Sequence, residues 1–211
     1  MLKNLLYAIL LGVGMAACLA DRDNSDDATI TDTDPAVEGG PMTETVELET
    51  PEATPDPADL LISKGRVGNI RIGMPIEEMR SQVPSGQQIK DTTLQLEGQQ
   101  YTAYVFSSPN SPSGLLVEQV CEPDCRVWRI SVSSNAYQTA QGIGVGSKYS
   151  EVAQHYPISY TSLGEAGFVA VSETAGLSFI LGSSQLDKNQ LHRMKPDQVP
   201  ANTLVQGILV Y

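Results

Sequence analysis

Few residues of this chain could do chemistry. The 211 residues hold three cysteines and two histidines. Cys121 and Cys125 stand closest together. They flank Glu122-Pro123-Asp124, a strong turn sequence, with apolar strand-like runs at residues 115–120 and 126–132 on either side. Two cysteines facing each other across a hairpin can close a disulfide, which suits an oxidising compartment. Because the loop is short, chain entropy contributes only about 2 kcal/mol. The alternatives are half of a metal site or a redox pair. A metal site wants further Cys or His at ligand spacing, and a redox pair usually has two intervening residues at a helix start. No further ligand follows at such spacing, so the expectation is a structural disulfide, with neither metal nor cofactor.

The remaining candidates read as structure. Gly142-Ile-Gly-Val-Gly-Ser-Lys148 looks like a phosphate loop, but Ser precedes Lys, and a dinucleotide fingerprint would need a third glycine where Lys148 or Tyr149 stands. It reads as a tight strand-to-helix turn. His155 ends a short helical pattern, on a face offset from the apolar positions. His192 lies in a basic, polar loop, residues 188–195. No acid or nucleophile is placed by sequence to form a triad with either. Glu77 and Glu78 fall at a helix start, where the dipole favours negative charge. The chain is therefore not expected to be an enzyme.

The third cysteine carries different chemistry. Lys3 precedes an apolar run, residues 5–15, and Met15-Ala16-Ala17-Cys18 follows. This resembles a bacterial lipobox, with Met where Leu is usual, in which the cysteine is acylated and becomes the new N-terminus. Residues 1–17 then form a lipoprotein signal peptide. The alternative is ordinary secretion, with cleavage after Ala20. Two or more acyl chains make a stable anchor. Leu19 is not the Asp that resembles an inner-membrane retention signal, so the expected place is the outer membrane, facing the periplasm.

Net charge is −12, from 25 acidic and 13 basic residues, and it is concentrated. Residues 21–59 hold 13 acids, one base, five prolines and no aromatic residue. Such composition cannot bury enough apolar surface to offset chain entropy, and its like charges extend it. Residues 18–59 are expected to be an acidic, disordered tether. Residues 60–211 hold 12 acids and 11 bases, which argues against a basic substrate for the module as a whole. No clustered Lys and Arg mark a nucleic-acid binder.

What must position these residues is an α+β module over 60–211. Residues 68–84 echo residues 141–157 at an offset of 73: Ile70 matches Ile143, Gly73 matches Gly146, Glu78 matches Glu151 and Pro84 matches Pro157. Ile76, Met79 and Val83 share one helix face, as do Tyr149, Val152 and Tyr156. Strand-like runs follow each helix, at 92–97, 101–107, 115–120 and 127–133, then at 167–172, 177–181 and 204–211. The expectation is two strand–helix–antiparallel-meander halves, about 65–138 and 139–211, sharing one core. Strict alternation puts Arg126, Trp128, Ile130 and Val132 on one strand face, so Trp128, the only tryptophan, is expected in the core.

With these residues in view, the chain resembles the RpoE-regulated (sigma-E-regulated) lipoproteins, small bacterial envelope proteins defined by a domain of unknown function. The similar parts are residues 142–152, the strand Val127-Trp-Arg-Ile-Ser-Val-Ser-Ser134, Leu177-Ser-Phe-Ile-Leu-Gly182, Met194-Lys-Pro-Asp197, and the ending Gln206-Gly-Ile-Leu-Val-Tyr211. The likeness covers residues 65–211 and departs in the long acidic tether and in the cysteine placement. The strand–glycine–helix units also look like repeats of the outer-membrane assembly lipoprotein and β-lactamase-inhibitor group. Neither resemblance supplies catalytic residues. The first implies an envelope protein of unsettled biochemistry. The expected function is a non-enzymatic interaction module, held to the membrane by its N-terminal lipid and contacting an envelope protein. The alternative is a small-ligand or glycan-binding module with a cleft between the halves, lined by aromatics such as Tyr101, Tyr104, Tyr137 and Tyr160.

Overall fold

The computed structural model describes residues 56–84, 86–108 and 111–211. Residues 1–17, expected to be a signal peptide, Cys18 and most of the acidic segment lie outside the described residues. The last residues of that segment, Asp56 to Asp59, already belong to the fold. A short 3-10 helix spans Pro57–Leu60, and the Asp56 carboxylate accepts from the Ala58 N–H at 2.8 Å. Asn69 in turn donates to the Asp59 carboxylate at 2.9 Å.

The elements run β1 (Leu61–Ser63), β2 (Arg66–Val67), β3 (Ile70–Arg71), α1 (Ile76–Ser81), β4 (Gln88–Leu96), β5 (Gln99–Ser108), β6 (Ser111–Cys121) and β7 (Cys125–Val132). There follow β8 (Gln138–Thr139), α2 (Tyr149–His155), β9 (Tyr160–Gly164), β10 (Gly167–Ser172), β11 (Leu177–Leu181) and β12 (Val205–Val210). The described residues are mostly β-sheet, with few helices beside the two sheets. The two helices have only six and seven residues, and Pro75 and the turn at Gln82 bound the first tightly.

Strands form two sheets. The small one has the order β3-β2-β1-β8, and the large one β4-β5-β6-β7-β12-β11-β10-β9. In the large sheet, β4 to β7 and β9 to β12 are each an antiparallel meander, and β7 and β12 join them. The core follows cross-strand rows that run nearly the whole width. One row is Phe106, Leu115, Val132, Ile208, Phe179 and Ala170. The next is Tyr104, Val117, Ile130, Val210, Leu177 and Ser172. All twelve are buried, and the eleven apart from Ser172 share one cluster with Ile76 and Met79 of α1 and Tyr149 and Val152 of α2. Both helices, with Ile62, Val67 and Ile70 of the small sheet, join this cluster, because a sheet's apolar face must be buried against another element.

The two helices are docked by matching hydrogen bonds. Gly73 N–H donates to the Val127 carbonyl and Val127 N–H to the Met74 carbonyl, at 2.8 and 2.9 Å. Gly146 N–H donates to the Val205 carbonyl and Val205 N–H to the Ser147 carbonyl, also at 2.8 and 2.9 Å. Gly73 and Gly146 have φ of +78° and +93°, left-handed conformations that glycine alone adopts freely. These turns, not a phosphate site, explain the glycine run. The Ser147 hydroxyl accepts from the Gly144 N–H, and Glu151 caps α2 by accepting from the Lys148 N–H at 2.7 Å.

A candidate binding mouth around Trp128

The central meander departs from its ladder at one point. Glu118 pairs with Arg129, but the next residue, Gln119, pairs with Val127. Trp128 is the extra residue of a β-bulge, which re-aims side chains. Val127, Ile130 and Val132 turn inward, at 1%, 0% and 1% exposure, and Trp128 turns out, at 49%. The expectation of a core tryptophan is overturned. Strict alternation would have set Arg126 on the core face and Val127 outside, a misfit that the bulge relieves.

An ion pair fixes the base of this tryptophan. Arg129 Nε and a terminal nitrogen each donate to Glu118, at 2.7 Å, in a two-pronged pair. Glu118 is buried at 3% exposure. The Arg129 guanidinium carbon lies 4.8 Å from the centre of the Trp128 ring. The indole is thus stacked on a cation that is itself held by a buried carboxylate, so its orientation costs little entropy on binding.

Trp128 borders a cavity of about 580 Å3 with Tyr101, Val120, Leu96, Gln100 and Gln119. Tyr101 and Val120 are exposed large apolar residues like Trp128. Cys121 is also at the rim, and its sulfur is bonded to Cys125, as expected. Three carboxylates complete the lining: Glu97, Glu122 and Glu165. Glu97 belongs to the β4–β5 turn and Glu165 to the β9–β10 turn, hairpins at opposite edges of the eight-stranded sheet. For both to border one cavity, the sheet must curl strongly across its width. Glu97 is also the one non-glycine residue with positive φ among the described residues, at +50°, followed by Gly98 at +78°. Such two-residue turns ordinarily carry Asn or Asp there.

Other expected residues lie elsewhere. Of the four tyrosines expected in a cleft, only Tyr101 borders this cavity. Tyr104 is buried and donates to Gln119 at 2.6 Å; Tyr137 is buried against Gln87; Tyr160 is exposed, away from the cavity. The junction of β7 and β12 is filled by Ile130, Val132, Ile208 and Val210, so no cleft opens at that seam. His155 and His192 are both exposed, and neither makes a side-chain hydrogen bond to a described residue. Among the described residues no group of three or more His, Cys, Asp or Glu is placed to hold a metal. No helix among them is long and apolar enough to cross a membrane.

No family model matches the chain, and no curated protein matches it in sequence. A similar solved structure is the uncharacterized protein YfeY from Escherichia coli. It is 13% identical with a TM-score of 0.53, over 71% of this chain and 98% of that one. At that identity the likeness shows a shared fold alone.

Proposed function

We propose that this chain is an envelope lipoprotein, anchored by Cys18 in the outer membrane, whose β-rich module contacts another envelope protein without catalysing a reaction. The observation that carries this reading is the single tryptophan: a bulge turns Trp128 out of the core and an ion pair braces it beside Tyr101 and Val120. Exposed, pre-oriented aromatics at the centre of a small apolar patch are what interaction hot spots are made of. The exposed histidines, without acid partners among the described residues, favour binding over catalysis.

The same reading takes the module as a duplicated unit. Its support is the offset of 73 shared by the sequence echo and the paired hydrogen bonds, Gly73 with Gly146 and Met74 with Ser147. It also groups the chain with the sigma-E-regulated envelope lipoproteins, on the strength of the sequence motifs and a fold like that of YfeY. Replacing Trp128 by a photo-crosslinking residue in intact cells should give one dominant protein adduct, and the same residue at exposed Glu77 on α1 should give none. Equal adducts at both positions would refute the assignment of the surface. Replacing Cys18 by Ala should move the protein out of the membrane fraction.

A second reading, a small-ligand site, is favoured by the cavity itself. Its volume of about 580 Å3 falls within the range of small-molecule pockets.

A further inference from the structure

We propose that the mouth around Trp128 receives a basic side chain, a lysine or arginine, carried on an apolar segment of the partner protein. This rests on reading the module as an interaction domain and adds the chemistry of what it binds. The first argument is charge. Glu97, Glu122 and Glu165 border one cavity, and among the described residues no Lys, Arg or His borders it with them. None of the three forms an ion pair with a described residue, whereas Glu78, Asp91, Asp124 and Glu118 all do. Arg129, stacked on the Trp128 ring, is committed to Glu118 by two hydrogen bonds, and Arg126, opposite Val120, is paired with Asp124. The near-neutral total of the module therefore conceals a local concentration of three free negative charges. An anionic ligand would be repelled, and a neutral sugar would leave all three uncompensated.

The second argument is the shape and polarity of the walls. Trp128, Tyr101, Val120 and Leu96 give the cavity an aromatic and aliphatic lining. An alkyl-ammonium or alkyl-guanidinium has matching parts: an apolar stem for those walls and a cation for the rim. One face of the indole already stacks a guanidinium, that of Arg129, at 4.8 Å. Aromatic faces attract cations, most strongly in tryptophan. The volume exceeds one side chain, which leaves room for apolar neighbours on the incoming segment.

The third argument is the conformation of Glu97. A glutamate at φ +50° costs stability that Asn or Gly would not. A strained position that carries a charge at the cavity rim fits a charge used at that place.

Because Trp128 is the only tryptophan, its emission reports on this site alone. The probe is acetyl-Leu-Arg-Leu-amide, titrated into the purified protein at low salt. The controls are the same peptide with citrulline, which has the shape without the charge, and chitotriose, a neutral sugar. The arginyl peptide should change Trp128 emission saturably, and the citrulline peptide should bind at least about tenfold more weakly. The triple variant Glu97→Gln, Glu122→Gln, Glu165→Gln should remove that preference. Should the triple variant fail to fold, Glu165→Lys alone, in an exposed turn, should weaken the arginyl peptide and spare the citrulline one. Equal binding of the two peptides would overturn the cationic proposal while leaving an apolar interaction surface standing. No saturable change with the arginyl peptide, or tighter binding of chitotriose, would also overturn it. Loss of the in-cell adduct at position 128 would instead refute the underlying interaction reading.

Discussion

Arg129 and Glu118 allow the sharpest test of how the mouth is built. The Glu118 side chain retains 4% of its surface and Arg129 24%, so the two partners are not equally exposed to water. Replacing Arg129 by Met removes the cation and leaves a carboxylate buried with no opposite charge. Breaking a buried pair in this way typically costs about 3–5 kcal/mol. For a fold of this size that is on the order of 10 °C in Tm. Replacing Glu118 by Gln strands only a partly accessible guanidinium, 24% exposed, that can reach water, and should cost about 1–2 kcal/mol. The double variant Glu118→Leu, Arg129→Met removes both charges together and should lie within about 1 kcal/mol of the native protein. Urea unfolding followed by far-ultraviolet circular dichroism is the suitable assay, because Arg129 touches the indole and would confuse a fluorescence readout. An Arg129→Met cost below about 1 kcal/mol, or a double variant no better than that single one, would refute the reasoning. Either result would mean that Glu118 reaches water and that the bulge is not braced from below.

Ser172 closes a core row with no partner among the described residues for its buried hydroxyl, so Ser172→Ala should be neutral or stabilise by up to about 1 kcal/mol in the same urea assay. Burial holds the Tyr137 phenol above the ordinary tyrosine range; the Asp59 charge adds to this and the Gln87 hydrogen bond opposes it. Since the folded-state value is the higher one, this contribution to stability is complete below about pH 10 and is lost as pH rises through the folded value. Tyr137→Phe should therefore flatten the alkaline loss of stability, measured by thermal melts across that range. Glu97→Asn should stabilise the β4–β5 hairpin by about 1 kcal/mol while weakening the arginyl peptide, so that stability and affinity move in opposite directions.

Much of the large sheet was legible from local pattern. Residues 115–120 fall in β6, 127–133 overlap β7 up to Val132, and 177–181 coincides with β11, because apolar and β-branched alternation marks a half-buried pleat. The disulfide was legible because Glu122-Pro123-Asp124 can only be a turn between those strands. Both short helices followed from apolar spacing and bounding prolines. What escaped were features set by pairing rather than by composition. β9 carries Thr161 and Ser162 among its five residues and pairs only with β10, as an edge strand. β1, β2, β3 and β8 have two or three residues each, too short for any periodicity to show. The bulge at Trp128 was hidden for the same reason. A one-residue slip reverses every following side chain, yet only the misplaced Arg126 betrays it in the sequence. The mouth draws on hairpins at opposite sheet edges, Glu97 and Glu165, which no local reading can bring together.

The outward turn of Trp128 is the claim on which the proposed surface depends, and collisional quenching by acrylamide measures it directly. In the folded protein the single tryptophan should be quenched readily, with only a modest further gain when denaturant unfolds the chain. A tryptophan shielded in the native state and released only on unfolding would place the indole in the core, and would contradict both the bulge and the binding mouth built on it.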